Sequence, residues 1–217
     1  MGGSPARPQP TPRPVIIATT PSDKKLPPAE VPQATPKPVE FRTQPPALTT
    51  PAPAPRKVDG GLIAVDSKAL LRTFASYVGI KEEPLGSNNG PMVNKFNAAC
   101  GLKPSDHAPW CAAVAHYGYM VNGAGDRPGA YSPSWYAKSR VITAKDVQPG
   151  DVGLIYFPSK GRYAHTITAI EKVNWSGRVV ASYVTLEGNT NTQGSRDGDT
   201  FARRVRPADT VTVVRWN

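Results

Sequence analysis

Prolines divide this chain into two parts that cannot fold in the same way. Of its 25 prolines, 16 lie before Val58, and Phe41 is the one aromatic residue of that stretch. Thr-Pro, Lys-Pro and Ala-Pro pairs recur there without a helical or strand period, which favours an extended, partly polyproline II chain over a packed core. We therefore predict a disordered arm over residues 1–58 and one folded domain over residues 59–217.

The charge of the chain is strongly positive and unevenly distributed. The formal net charge is +10, and the arm carries eight Lys or Arg residues against three acidic ones. A basic chain favours anionic partners. The basic residues come without an aromatic ladder, zinc-finger spacing or RNA-recognition signature, so no nucleic-acid partner is predicted. No apolar run approaches the roughly 18 residues that a spanning helix needs, so no membrane span is predicted either.

The hydrophobic period of the second part changes near residue 145. Before that point apolar residues recur at helical spacing between capping, proline and glycine signals. We predict three helices, from Asp66 or Ser67 to Gly79, from Pro91 to Cys100 and from Pro109 to about Val121. Between the third helix and residue 148 we expect a loop with a short helix.

After that point, runs rich in Val, Ile, Thr and Tyr are separated by turn signals, which is typical of antiparallel strands. We predict four strands, Val152 to Phe157, His165 to Val173, Arg178 to Leu186 and Thr210 to Arg215. Helices that precede strands indicate an α+β fold in which N-terminal helices pack on an antiparallel β-sheet.

Cys111 is the strongest candidate for chemistry in this sequence. It follows Pro109 and Trp110 at the predicted start of the third helix, and small residues come after it. The positive end of the helix dipole and the free backbone N–H groups favour a thiolate there, so the thiol should titrate below its usual value of about 8.5. Taken alone, a single cysteine is more often a small buried apolar residue.

Two further candidates follow Cys111 in an order that fits nucleophilic catalysis. His165 begins a predicted strand, and Glu187 and Asn189 come at the end of a later one. A nucleophile, then an imidazole, then a carboxylate or amide that orients it is the order found in papain-like cysteine hydrolases. We therefore expect a papain-like form of the α+β fold, with Cys111, His165, Glu187 and Asn189 as catalytic residues.

Five short blocks in residues 80–192 resemble the signature blocks of the CHAP domain, a cysteine, histidine-dependent amidohydrolase/peptidase related to the NlpC/P60 hydrolases. The blocks are Gly86-Ser87-Asn88-Asn89-Gly90-Pro91, Pro109-Trp110-Cys111-Ala112-Ala113, Pro149-Gly150-Asp151-Val152, His165-Thr166 and Glu187-Gly188-Asn189-Thr190-Asn191. The resemblance implies hydrolysis of an amide bond in bacterial peptidoglycan, by an N-acetylmuramoyl-L-alanine amidase or by a stem or cross-bridge endopeptidase.

Roles for the candidate residues follow from this chemistry. Cys111 would attack the scissile carbonyl, and His165 would move the proton. Glu187 would orient His165; Asn189 could do so instead, or donate to the oxyanion. Substrate contacts are expected from three more residues near the predicted cleft, Trp110, Asn88 and Trp135.

Other uses of the same residues have to be weighed. A zinc site of Cys111, His165 and Glu187 would lack the closely spaced ligand pairs that usually mark zinc. Some CHAP enzymes carry a calcium loop of clustered aspartates before the cysteine, but only Asp106 stands there. A disulfide between Cys100 and Cys111 would consume the nucleophile. We predict no metal and no cofactor.

Partners and location are expected to follow from the resemblance. The partner would be peptidoglycan, with the basic arm binding anionic wall polymers, and the protein would act as a monomer in the cell wall, periplasm or extracellular space. The run Val15-Ile16-Ile17-Ala18 is too short for a secretory signal, so phage lysis or specialised secretion are possible export routes. Two alternatives stay open, a cysteine protease or amidase acting on non-wall peptides and a non-catalytic wall-binding module.

Overall fold

The computed structural model describes residues 56–57, 62–191 and 198–217. Almost all of the predicted Pro-rich arm therefore lies outside the described residues. Arg56 and Lys57, which the sequence assigned to the arm, form the short strand β1, which pairs with β2 at Ile63–Ala64. No helix within the described ranges is both long enough and apolar enough to cross a membrane.

Three helices come before the main strands, as predicted. They are α1 at Ser67–Ala75, α2 at Pro91–Ala99 and α3 at Cys111–Val121. Asp66 caps α1, because its side chain accepts a hydrogen bond from the Lys68 backbone N–H. The prediction that this helix runs to Gly79 is wrong. Gly79 has a φ of 94° and donates its backbone N–H to Phe201 at 2.9 Å, so the chain has already left the helical ladder there.

The remaining chain forms two three-stranded antiparallel sheets. One has the order β4-β3-β8 and the other the order β5-β6-β7. Their strands are β3 Val152–Phe157, β4 Arg162–Ile167, β5 Ala169–Ser176, β6 Val179–Thr190, β7 Thr200–Pro207 and β8 Thr212–Val214. The α+β class, with helices first and antiparallel strands second, is confirmed.

Two of the differences from the predicted strands affect the sheet topology; in addition, β4 begins three residues earlier and β6 ends four residues later than predicted. The single strand expected over His165 to Val173 is divided at Thr168, where the chain passes from one sheet to the other as β4 ends and β5 begins. Strand β7 was not predicted. Three of its eight residues are arginines, Arg203, Arg204 and Arg206. A segment with so many charges lacks the Val, Ile, Thr and aromatic content by which strands are recognised in a sequence.

Helix α3 is buried against both α1 and β6, and two glycines make this close approach possible. A Cβ atom on Gly118 would lie 2.0 Å from the Phe74 ring of α1, and one on Gly188 of β6 would lie 2.5 Å from Val114. Neither distance is tolerable for packed carbon atoms. Gly188 therefore lets α3 lie directly beside β6, the strand that carries Glu187 and Asn189.

Candidate active site

Cys111 is the first residue of α3 and lies at the floor of a cleft. Its side chain is almost completely buried, yet it lines a cavity of about 350 Å³ that opens to the surface. The first N–H groups of a helix have no acceptor within it, so the Cys111 backbone N–H is free of the helical ladder. The Thr166 backbone N–H donates to the sulfur, and the Ser132 hydroxyl lies 3.5 Å from it.

His165 projects from β4 and is fully buried between Cys111 and the second sheet. Its Nε2 lies 3.0 Å from Oε2 of Glu187 on β6. Nε2 is thereby occupied. The buried Nδ1 has no hydrogen-bond partner within the described ranges, and the ring lies close enough to the Cys111 thiol for each group to shift the pKa of the other. The imidazole therefore has one nitrogen for the carboxylate and the other for Cys111, the arrangement that a general acid–base group needs.

Glu187 is held by three side chains and is completely buried. Arg206 of β7 donates from Nε to Oε1 at 2.8 Å and from Nη2 to Oε2 at 2.6 Å. The Thr185 hydroxyl donates to Oε1 at 2.6 Å. Thr185 and Glu187 are two residues apart on β6, so the period of the strand places them on the same face. Arg206 and Thr185 thereby fix the position of the carboxylate that binds His165.

These contacts shift the pKa values of all three groups. Burial by itself would raise the pKa of the Cys111 thiol, but its hydrogen bond to His165, the charge of His165 and the contacts from Thr166 and Ser132 lower it to about 7. Burial would lower the pKa of His165, but the hydrogen bonds to Cys111 and Glu187 raise it to about 9. Between these values the pair exists as thiolate and imidazolium.

The pKa of Glu187 is shifted in the opposite sense to that expected from burial. Burial would raise it, but the hydrogen bonds and charges of Arg206 and His165 hold it far below its usual range. Glu187 is therefore ionised throughout the pH range in which the thiolate and imidazolium coexist, and it stabilises the positive charge on His165.

Asn189 does not contact His165. Its backbone has a positive φ of 55°, and its side chain turns away toward the loop of residues 82–90. The amide nitrogen donates to the Gly198 carbonyl at 2.8 Å and to Oδ1 of Asn88 at 3.1 Å, and Oε1 of Glu82 lies 3.4 Å from it, so neither N–H group is left for His165. Of the two residues considered as the partner of His165, Glu187 is thus the one in contact. Asn189 lines the cleft and anchors Asn88 to it.

The two tryptophans expected to touch substrate are completely buried. Trp110 stacks on Phe96 and donates its indole N–H to Glu82 at 2.8 Å. Trp135 donates its indole N–H to the Gly129 carbonyl at 3.0 Å and packs beside Tyr119 and Trp216. The expectation of direct substrate contact is therefore not met by either residue, because both were placed by sequence proximity to the cleft rather than by burial.

The second cysteine and possible metal-binding clusters were the other candidates for chemistry in the described part of the chain. Cys100 and Cys111 are both free. Burial raises the pKa of the Cys100 thiol to about 11, so this cysteine stays protonated. No group of three or more His, Cys, Asp or Glu side chains in residues 62–191 and 198–217 is arranged to hold a metal ion.

Three site residues were missed by the sequence analysis. Arg206 lies on the unpredicted strand β7, and no motif marks it. Ser132 stands in a segment without regular hydrophobic period, and only the fold brings its hydroxyl to the sulfur. Glu82 is a buried carboxylate that accepts hydrogen bonds from Trp110 and from the Asn88 backbone N–H at 2.8 Å. Glu82 lies at the start of the region 80–192 that contains the five sequence blocks, but it is in none of them, so no motif marked it.

Comparison with known proteins gives two structural likenesses. No protein-family model matches the sequence, and no curated protein matches it. The chain is similar to the NlpC/p60 domain of the peptidoglycan hydrolase SagA, with 14% identity, a TM-score of 0.39 and coverage of 70% of this chain and 100% of that one. It is also similar to Rv1477, a hypothetical invasion protein of Mycobacterium tuberculosis, with 20% identity, a TM-score of 0.38 and coverage of 75% and 70%. Because both identities and both TM-scores are low, the chemistry has to be argued from the residues of the site itself.

Proposed function

We propose that this protein is a cysteine hydrolase that cleaves an amide bond of bacterial peptidoglycan. The observation that carries the proposal is a buried series of side chains in which Arg206 and His165 both bind Glu187, and His165 lies beside the Cys111 thiol at an open cleft. A cysteine kept only for packing needs neither a histidine at its sulfur nor a carboxylate behind that histidine.

The first half of the reaction uses the thiolate and the imidazolium together. The Cys111 thiolate attacks the scissile carbonyl carbon, and the carbonyl oxygen takes up negative charge. The Cys111 backbone N–H at the start of α3 faces this charge as a hydrogen-bond donor. His165 then gives its proton to the leaving amine as the C–N bond breaks, which leaves a thioester on Cys111 and a neutral imidazole.

The second half restores the enzyme. Neutral His165 accepts a proton from a water molecule as that water attacks the thioester carbon, and the C–S bond then breaks. The products are a carboxylic acid and the Cys111 thiolate, again paired with the His165 imidazolium. Glu187 keeps the ring oriented and stabilises its positive charge in both halves, while Arg206 and Thr185 hold the carboxylate in place.

The substrate class rests on the resemblance of the five sequence blocks to the CHAP domain. Contacts between blocks support this use of the resemblance. Asn88 of the first block accepts from Asn189 of the last, Glu187 binds His165, and the His165 ring lies beside Cys111. The similar SagA domain is described as part of a peptidoglycan hydrolase. Amidase action at the sugar–peptide junction and endopeptidase action within the peptide use the same chemistry.

The basic arm and the site of action belong to the same proposal. We infer that residues 1–58 bind anionic wall polymers and hold a monomeric catalytic domain near its substrate in the cell wall, periplasm or extracellular space. The eight cations of the arm support this, since anionic polymers are the partners that such a segment attracts.

Digestion of purified sacculi tests the proposed function. We expect soluble fragments with new amino and carboxyl termini, and their masses will assign the cut to the sugar–peptide junction, the stem or the cross-bridge. Cleavage of unrelated peptides without release from sacculi would instead support a protease or amidase of non-wall peptides. Binding to sacculi without any cleavage would support a non-catalytic wall-binding module.

A further inference from the structure

The cleft above Cys111 is positively charged. Eleven residues line it, and the charged ones among them are Lys160 and Arg162, while none is a carboxylate. Apart from Cys111, the other lining residues are apolar or are polar without a formal charge, and Tyr131, Ser132 and Asn189 are the polar ones. A low-dielectric wall with charges of one sign concentrates the field at the opening and attracts an anion.

The fold holds both cations at a fixed place relative to the catalytic histidine. Lys160 ends the turn Pro158–Lys160 between β3 and β4, and Arg162 is the first residue of β4, three positions before His165. Gly161 between them has a φ of 61°, a conformation that glycine adopts without strain and that makes the turn tight. The two charges are therefore part of a short β-hairpin rather than of a long loop.

Neither cation has a carboxylate partner in the part of the chain that the structure describes. Both side chains are exposed, and no carboxylate within those residues lies within 4 Å of either. The guanidinium carbon of Arg162 lies 5.5 Å from the centre of the exposed Tyr131 ring, which keeps the side chain over the cleft.

Three other arginines on or next to these sheets are paired, whereas Arg204 of β7 has no ion pair within the described residues. Arg203 pairs with Glu171, Arg206 with Glu187, and Arg215 with Asp151. Lys160 and Arg162 thus differ from them in having their charges directed at the cleft and not at an internal carboxylate. An arginine with a free planar guanidinium is suited to a carboxylate, which it binds through two parallel hydrogen bonds.

We propose that Lys160 and Arg162 bind a carboxylate of the substrate beside the scissile bond. This inference rests on the proposed function. The preferred substrate is then a stem peptide whose carboxylates are free, and amidation of those carboxylates weakens its binding. Tyr131 orients Arg162 for this contact and does not itself carry charge.

Matched muropeptides test this specificity. One has free stem-peptide carboxylates and the other is identical except that these carboxylates are amidated. We expect the wild-type protein to cleave the free form with a kcat/KM about tenfold higher, mainly through a lower KM, as for one charge-assisted contact at a half-exposed site. Equal kcat/KM values for the two forms would overturn the inference while leaving the proposed function intact. Failure to cleave either form would refute the proposed function, and the inference with it.

Two substitutions and two matched controls assign the preference to these residues. Lys160→Ala and Arg162→Ala should each raise KM for the free form about three- to tenfold, leave kcat nearly unchanged and change the amidated form little. Lys172→Ala and Arg178→Ala remove equally exposed cations that do not line the cleft, and both should keep the wild-type preference. A rise in KM of the same size for both muropeptides would contradict a carboxylate contact at the cleft. The same rise in the two control variants would contradict it as well.

Discussion

Arg206 holds Glu187 through two parallel hydrogen bonds, of 2.8 and 2.6 Å, one to each carboxylate oxygen. The same carboxylate accepts from His165, so it stands between a permanent cation and a titrating one. Arg206 keeps Glu187 ionised, and its positive charge also opposes the charge on His165. Burial lowers the pKa of His165, and the interactions with Cys111 and Glu187 raise it to about 9. By Coulomb's law, the guanidinium on the other side of Glu187 acts against that rise.

Replacing Glu187 with Gln should lower the pKa of His165. The imidazolium loses its carboxylate and keeps the repulsion of Arg206, so the alkaline limb of the activity profile moves to lower pH and the rate falls. The protein should also lose about 2–4 kcal/mol of unfolding free energy, because a largely buried guanidinium is left without its counter-charge. NMR titration of His165 and denaturant unfolding measure the two effects. An unchanged histidine pKa would mean that Glu187 does not stabilise the imidazolium.

Replacing Arg206 with Gln should shift the pKa of His165 in the opposite direction, upward. Removal of the guanidinium takes away a repulsive positive charge, so the pKa of His165 rises and the alkaline limb moves upward. The rate should still fall several-fold, because the carboxylate loses the contacts that fix its position. Arg203→Gln is the matched control. Arg203 lies on the same strand as Arg206 but pairs with Glu171 of β5 at the surface, so its replacement should leave the pH profile unchanged. A downward shift in Arg206→Gln would contradict this electrostatic balance.

The pH dependence of the wild-type protein should be bell-shaped. Below about pH 7 the Cys111 thiol gains a proton and cannot attack, and above about pH 9 His165 loses the proton that the leaving amine needs. Because the two groups are coupled, the limbs of kcat/KM report the pair rather than each residue. Alkylation by iodoacetamide gives an independent measure. Cys111 should react with an apparent pKa near 7, whereas Cys100, with its raised pKa, should react slowly at neutral pH.

Deletion of residues 1–55 should weaken adsorption to anionic walls, mainly at low salt. Screening beyond about 10 Å is already strong near 0.1 M salt, so the difference between the full and shortened chains should shrink as salt is added. Turnover of a soluble wall fragment should change little. Co-sedimentation with sacculi over a salt series measures the effect, and adsorption that is independent of the arm at every salt concentration would remove the tether proposal.

The sequence predicted the features that local pattern determines. Proline and small residues around Cys111 indicated a helix that starts at Pro109 with the thiol in its first turn, and the structure begins this helix at Cys111. The alternation before Glu187 indicated a strand that carries it. Arg206 could not be predicted, because its contact with Glu187 depends on the pairing of β6 with β7, and β7 itself was not recognised among its arginines. The burial of Trp135 was equally hidden, since it is set by packing against Tyr119 and Trp216 from distant parts of the chain.

The most direct test of the account compares the two cysteines in one assay. Release of soluble fragments from purified sacculi is followed by mass spectrometry for the wild-type protein, Cys111→Ala and Cys100→Ala, after circular dichroism has shown that all three are folded. We predict that Cys111→Ala releases no fragments, because the thioester cannot form, whereas Cys100→Ala keeps most of the wild-type rate after a modest loss of stability. Full activity in Cys111→Ala, or loss of activity only in Cys100→Ala, would contradict the assignment of Cys111 as the nucleophile.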